Sequence, residues 1–138
     1  MRGFKGNVGK AKEATQALLA SGVDVVYNML DEAAAGVIET LADQKACAIG
    51  YFKDQLSRDP KTVLTSAVQN YGLAIETVAE IAKNGQMKGE IYKLGLDKPD
   101  ILRLGEFSAA VPNATKQKVL RGLRINKLPA MLEHRKRA

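Results

Sequence analysis

The stretch VDVVYNMLDEAAAGVIETLADQKACAIGYF (residues 23–52) decides how this chain is read. Apolar or small residues recur in it at Val25, Met29, Ala33, Val37, Leu41, Ala48 and Phe52, four or seven apart, a spacing that keeps them on one helical stripe. Val26, Leu30, Ala34 and Ile38 form a second row beside the first, while Asp24, Asp31 and Asp43 fall at other angles. The stripe continues backwards to Ala14 and Leu18 and forwards to Leu56. This periodicity predicts one long amphipathic helix over about 10–56. Its weakest point is Ser21-Gly22, since Gly costs about 1 kcal/mol relative to Ala inside a helix. Unbroken, the helix would be roughly 70 Å long at ~1.5 Å per residue. A compact domain of this size has a radius of gyration of only about 14 Å. The excess length must be covered by the rest of the chain or by a partner, and on this ground a homo-oligomer or larger assembly is expected. Ala42, Ala46 and Gly50 place small residues at every fourth position, an edge that admits a close neighbour. With Val37, Leu41 and Phe52 they form the expected helix interface.

Outward from this stretch, Asp59-Pro60 reads as a cap and first turn for a second helix over about 60–83. Leu64, Ala67, Val68, Tyr71, Ile75, Val78 and Ile81 mark its apolar face, and Asn84-Gly85 its stop. The short link at 57–59 predicts an antiparallel helical hairpin. Gly89, Gly95, Pro99 and Gly105 then leave room only for short helical turns over 86–107. Asn113 can cap a helix of about 114–123, and a last short helix begins near Pro129. The fold class expected is therefore all-α. It has a flexible basic arm at 1–9, a helical body at 10–112 and a basic C-terminal segment at 113–138.

Of the 138 residues, 46% are hydrophobic and 26% charged, which excludes wholesale disorder. The net charge of +6 is unevenly spread. Residues 1–12 hold four basic groups and no acid, residues 13–106 are net −5, and residues 107–138 are net +7. A mildly acidic body thus carries two basic ends, and such ends commonly meet phosphate, acidic lipid or an acidic protein face. Lys116, Lys118, Arg121, Arg124, Lys127, Arg135, Lys136 and Arg137 are the candidate polyanion-binding residues. No aromatic residue lies among 108–138, so any nucleic-acid binding there would be phosphate-driven and sequence-blind.

No constellation for catalysis stands out. Gly6-Asn-Val-Gly9-Lys10 lacks the first glycine and the final hydroxyl of a phosphate loop, with Phe4 and Ala11 in those places. His134 and Cys47 lie far apart with no metal-ligand spacing around either, so no metal or cofactor is expected. Asp31, Glu32, Glu39, Asp43, Glu76 and Glu80 read as solvated helix faces. No apolar run reaches the roughly 18 residues of a membrane span, and no signal peptide is evident. The expected protein is a non-enzymatic helical assembly component, for example a virion-associated protein, in the cytoplasm or within a particle. The alternatives are a sequence-nonspecific nucleic-acid binder using the basic tail, and a peripheral or pore-forming membrane protein.

Overall fold

The computed structural model describes residues 7–126 and is not all-α. In place of the long helix stand α1 (Val8–Ala20), β1 (Val25–Tyr27), α2 (Ala34–Asp43) and β2 (Cys47–Phe52), followed by a single 3₁₀ turn at Leu56–Arg58. In place of the second helix stand β3 (Val63–Gln69) and α3 (Tyr71–Lys83). Then come β4 (Leu102–Leu104) and α4 (Asn113–Asn126). The helical hairpin does not exist, and residues 86–101 are turns and irregular chain rather than short helices.

The four strands form one sheet in the order β1-β2-β3-β4. β1 and β2 are parallel (Val25 beside Cys47, Tyr27 beside Ile49), and so are β2 and β3 (Gly50 beside Ser66, Phe52 beside Val68). A register shift lies between Ala48 and Ile49. The chain returns antiparallel along β3: Gly105 N–H donates to the Ser66 carbonyl at 2.7 Å and Ser108 N–H to the Leu64 carbonyl at 2.8 Å. The sheet is therefore mixed.

The helical expectation fails for a physical reason. The strand runs Val25–Tyr27 and Cys47–Phe52 are apolar or small at every position, without the apolar–polar alternation that marks a half-buried strand. A four- or seven-residue ruler laid across such runs finds an apolar residue wherever it falls. The β-branched and aromatic clusters Val25-Val26-Tyr27, Ile49-Gly50-Tyr51-Phe52 and Thr62-Val63 suit extended chain better than helix.

The chain divides into two compact units. One comprises the residues up to Gln69 together with Leu104–Pro112, the other Asn70–Arg103 and the residues from Asn113 on. In the first, Asn7 Oδ1 accepts the Lys10 N–H at 3.0 Å and starts α1, which ends at Ser21 with Gly22 at φ 90°. α1 lies on α2, and a Cβ at Gly36 would come within 2.6 Å of Val8 Cγ1, so glycine there permits the approach. Lys12 and Glu39 bridge the two helices at 2.6 Å. The core is Ala11, Ala33, Val37, Ile38, Leu41, Ala46, Ala48 and Val63. The α2 layer thus packs on the sheet through the even-numbered face of β2. In the second unit Asn70 Oδ1 caps α3 through the Leu73 N–H at 3.1 Å, and α3 stops at the Asn84-Gly85 pair, with Gly85 at φ 66°. Among the described residues no helix is long and apolar enough to cross a membrane.

Candidate functional site at the carboxyl edge of the sheet

Three parallel strands bring their carboxyl ends to one edge, and in open α/β sheets ligands bind outside that edge. Here the edge is built by the segments leaving β1 and β2. Asn28, directly after β1, is 2% exposed and spends its side chain on the chain that follows. Its Oδ1 accepts the Leu30 N–H at 3.2 Å and its Nδ2 donates to the Ala34 carbonyl at 3.5 Å. Asn28 thereby shapes the loop that carries Asp31 and Glu32 into α2.

β2 ends differently. Phe52 sits at φ 71°, and Lys53 N–H donates to the Tyr51 carbonyl at 2.9 Å. This is a γ-turn of the positive-φ kind, rare and strained for a residue with a bulky side chain. It turns the chain sharply and aligns three rings. Tyr27 and Tyr51 meet edge to face at 6.2 Å, and Tyr51 and Phe52 lie 6.5 Å apart. Lys53 Nζ stands 6.0 Å over the Phe52 ring. Burial, with the neighbouring Tyr51 as a smaller cause, raises the Tyr27 hydroxyl above its ordinary pKa of 10.0.

Asp54 fastens this turn. Its Oδ1 accepts the Leu56 N–H at 3.1 Å and the Ser66 hydroxyl at 3.4 Å, and its Oδ2 accepts the Glu106 N–H at 2.8 Å. Ser66, fully buried on β3, in turn accepts the Gln55 N–H at 2.9 Å. Two glycines make room: a Cβ at Gly50 would sit 2.5 Å from Ser66 Oγ, and one at Gly105 would sit 2.5 Å from Asp54 Oδ2. Gln55 is only 7% exposed. Its Nε2 donates to the Tyr51 carbonyl at 3.1 Å, which fixes the amide orientation, and its Oε1 has no hydrogen-bond partner among the described residues. Between the Leu30–Glu32 loop and the Tyr51–Gln55 turn, with Ser57 and Arg58 at one side, lies an open cleft of about 690 Å³.

The residues expected to form a helix interface are dispersed by this fold. Val37, Leu41 and Ala42 are on α2, the first two buried in the core. Ala46 lies in the turn before β2, while Gly50 and Phe52 are in β2 itself. The every-fourth spacing of Ala42, Ala46 and Gly50 therefore marks no helical edge. Gly50 does serve a close approach, to Ser66 on β3. Of the candidate polyanion-binding residues, Lys116, Lys118, Arg121 and Arg124 are on α4, where Lys116 is half-buried and Lys118 and Arg121 are exposed. Lys127, Arg135, Lys136 and Arg137 lie outside the described residues. Among the described residues no group of His, Cys, Asp or Glu could hold a metal ion. The helical periodicity places residues 51–55 at the end of a helix and so hides them as a site. The available signal was an aromatic pair and a charged pair, Tyr51-Phe52-Lys53-Asp54, at the end of an apolar run.

A family model described as ABC transporter substrate-binding protein PnrA-like, Bmp, matches residues 6–132. The chain belongs to the Bmp family. A curated relative, the transcriptional activator protein med of Bacillus subtilis (strain 168), is 34% identical over 104 residues, covering 75% of this chain and 32% of that protein. The crystal structure of a transcriptional activator of the comK gene from Bacillus halodurans superimposes with a TM-score of 0.78 at 28% identity, over 96% of this chain and 47% of the other. An ABC transporter solute-binding protein from Aeropyrum pernix K1, at 19% identity and a TM-score of 0.61, shares the fold. The chain thus spans 32% to 47% of the length of these three proteins. The Bmp assignment overturns the virion-component reading. With the long helix gone, the mismatch of length that called for an assembly is gone as well. The nucleic-acid alternative gains no support from the same relatives.

Proposed function

We propose that this chain is the solute-binding lobe of a regulatory protein, acting by binding rather than turnover. A small molecule enters the cleft at the carboxyl edge of β1 and β2, and its occupancy informs the control of gene expression. One observation carries the reading: the Phe52 turn at the mouth of the cleft. A bulky residue at φ 71° costs on the order of 1–3 kcal/mol, and such strain collects at ligand sites, where the surroundings over-determine it. Here the Asp54 network supplies that constraint. The Bmp family description supports binding of a transported or sensed solute, and the names of the Bacillus relatives support regulation of transcription. The cleft's volume is that of a small-molecule site.

The test is a thermal-shift and calorimetric screen of the chain against neutral heterocycles, sugars, amino acids, amines and organic acids. At least one class is expected to bind saturably and raise Tm by several degrees, since a ligand at 100 times its Kd stabilises by about 2.7 kcal/mol. Phe52→Ala is expected to lose that shift. A screen in which no class binds, or in which the shift survives at Phe52→Ala, sinks the proposal.

A further inference from the structure

We infer that Asn84, at the end of α3, is a site of spontaneous modification, where the chain's own backbone converts the side-chain amide into a carboxylate through a succinimide. The backbone nitrogen that follows an asparagine can attack the side-chain carbonyl, and a Cβ on the following residue obstructs the approach. Glycine has no Cβ and moves more freely. Asn84-Gly85 is the one Asn-Gly pair in the sequence. Both residues are exposed, and open space surrounds Gly85 on the side where a Cβ would stand. The other asparagines differ. Asn7, Asn28 and Asn70 each spend Oδ1 on a backbone N–H, of Lys10, Leu30 and Leu73 respectively, and Asn28 is buried. The side chain of Asn84 makes no hydrogen bond among the described residues.

The step needs only water. Gly85 nitrogen gives its proton to hydroxide and attacks Cγ of Asn84. The new N–C bond closes a five-membered ring, the Cγ–Nδ2 bond breaks, and Nδ2 leaves as ammonia with a proton from water. A second water opens the ring at one of its two carbonyls. Opening at Cγ leaves aspartate. Opening at the main-chain carbonyl leaves an isoaspartyl residue, whose backbone runs through the former side chain. Nothing is oxidised or reduced.

The fold sets the pace. Gly85 N–H donates to the Ala82 carbonyl at 3.0 Å and Gln86 N–H to the Ile81 carbonyl at 3.0 Å, so the nitrogen is engaged while the helix end is closed. No residue of α3 is buried, and a helix end held by so little opens locally at small cost. Either product then puts a carboxylate beside the last carbonyls of α3, where the helix dipole disfavours it. The isoaspartyl form also lengthens the backbone and carries both N–H groups away from those carbonyls. Modification therefore frays α3 from its carboxyl end.

The experiment incubates the whole folded chain in mildly alkaline buffer, digests it with trypsin and follows the Asn84–Lys88 peptide by mass spectrometry. That peptide is expected to gain the mass difference between NH₂ and OH before any other asparagine peptide does, and faster as hydroxide rises. Asn84→Gln is expected to lose the gain. Gly85→Ala is expected to slow it severalfold, although a side chain at φ 66° loosens the cap. A role for Gly85 in holding the helix end alone would give the opposite order, since a looser cap frees the nitrogen. The isoaspartyl chain, separated by ion exchange, is expected to show less helix by circular dichroism. Gain first at another asparagine, no gain anywhere, or Gly85→Ala reacting as fast as wild type overturns the assignment. An isoaspartyl chain as helical as the unmodified one overturns the effect on α3.

Discussion

Phe52 shows how a single backbone angle sorts substitutions. In ordinary extended chain, alanine is preferred to glycine because glycine loses more conformational freedom on folding. At φ 71° the order reverses, since glycine adopts that region without a Cβ clash. Phe52→Gly is therefore expected to be more stable than Phe52→Ala by about 1 kcal/mol, read as the difference in urea midpoints. The opposite order would show that the turn is not strained. Asp59 acts on a different variable. Its carboxylate accepts the Lys61 N–H at 2.9 Å, the Thr62 hydroxyl at 2.9 Å and the Thr62 N–H at 3.3 Å, organising the entry to β3. The Lys61 N–H first, and the Thr62 hydroxyl next, hold its pKa below the ordinary 3.8. The folded state thus prefers the charged form, so the contribution is complete above the unfolded pKa and is lost as pH falls through the lower, folded value. Wild type is expected to lose stability on acidification below about pH 4, and Asp59→Asn to show a shallower acid limb in Tm against pH. Neither residue was legible as such. The sequence shows Asp59 as a plausible cap, but for a helix, and nothing in it announces a positive φ at a phenylalanine.

At the scale of elements, Gly22 separates the two readings of residues 10–56. In the middle of a helix, Gly22→Ala would stabilise by about 1 kcal/mol. Gly22 instead follows the end of α1 at φ 90°, where a Cβ meets open space but the backbone conformation disfavours any L side chain. Gly22→Ala is expected to destabilise by about 1 kcal/mol in thermal or urea unfolding, a change of sign and not only of size. The helices and strands were unequally legible. α3 and its Asn84-Gly85 stop, and α4 after Asn113, carry local signals: a cap, a stop and a run of helix formers. β1, β2 and β3 carry none that a period alone can use. β1 and β2 are apolar or small at every position although Val25 and Tyr27 are exposed, so no alternation marks them as strands. The bundle expected from periodicity came from joining these strands to their neighbouring helices.

For the molecule as a whole, the candidate site depends on residues far apart in the chain. Asp54 and Glu106 are 52 positions apart, yet the Asp54 Oδ2 bond to the Glu106 N–H joins the end of β2 to the segment after β4. Gly105→Ala would put a Cβ 2.5 Å from that oxygen and is expected to cost about 1–3 kcal/mol. In an Asp54→Ala background, where the obstructing carboxylate is absent, the same change is expected to cost markedly less. Additive costs in this double-mutant cycle would disprove the contact. The sequence by itself determined the quantities that are sums or local preferences: a mildly acidic body with basic ends, the stop of α3, and a helix at Asn113. It did not determine which apolar runs are strands, because that depends on which distant segments pair with them. Nor could it gather Tyr27, Tyr51, Phe52, Gln55 and Ser66 at one edge. That edge exists only once β1, β2 and β3 lie parallel and end together, a matter of hydrogen-bond register between segments that no local spacing records.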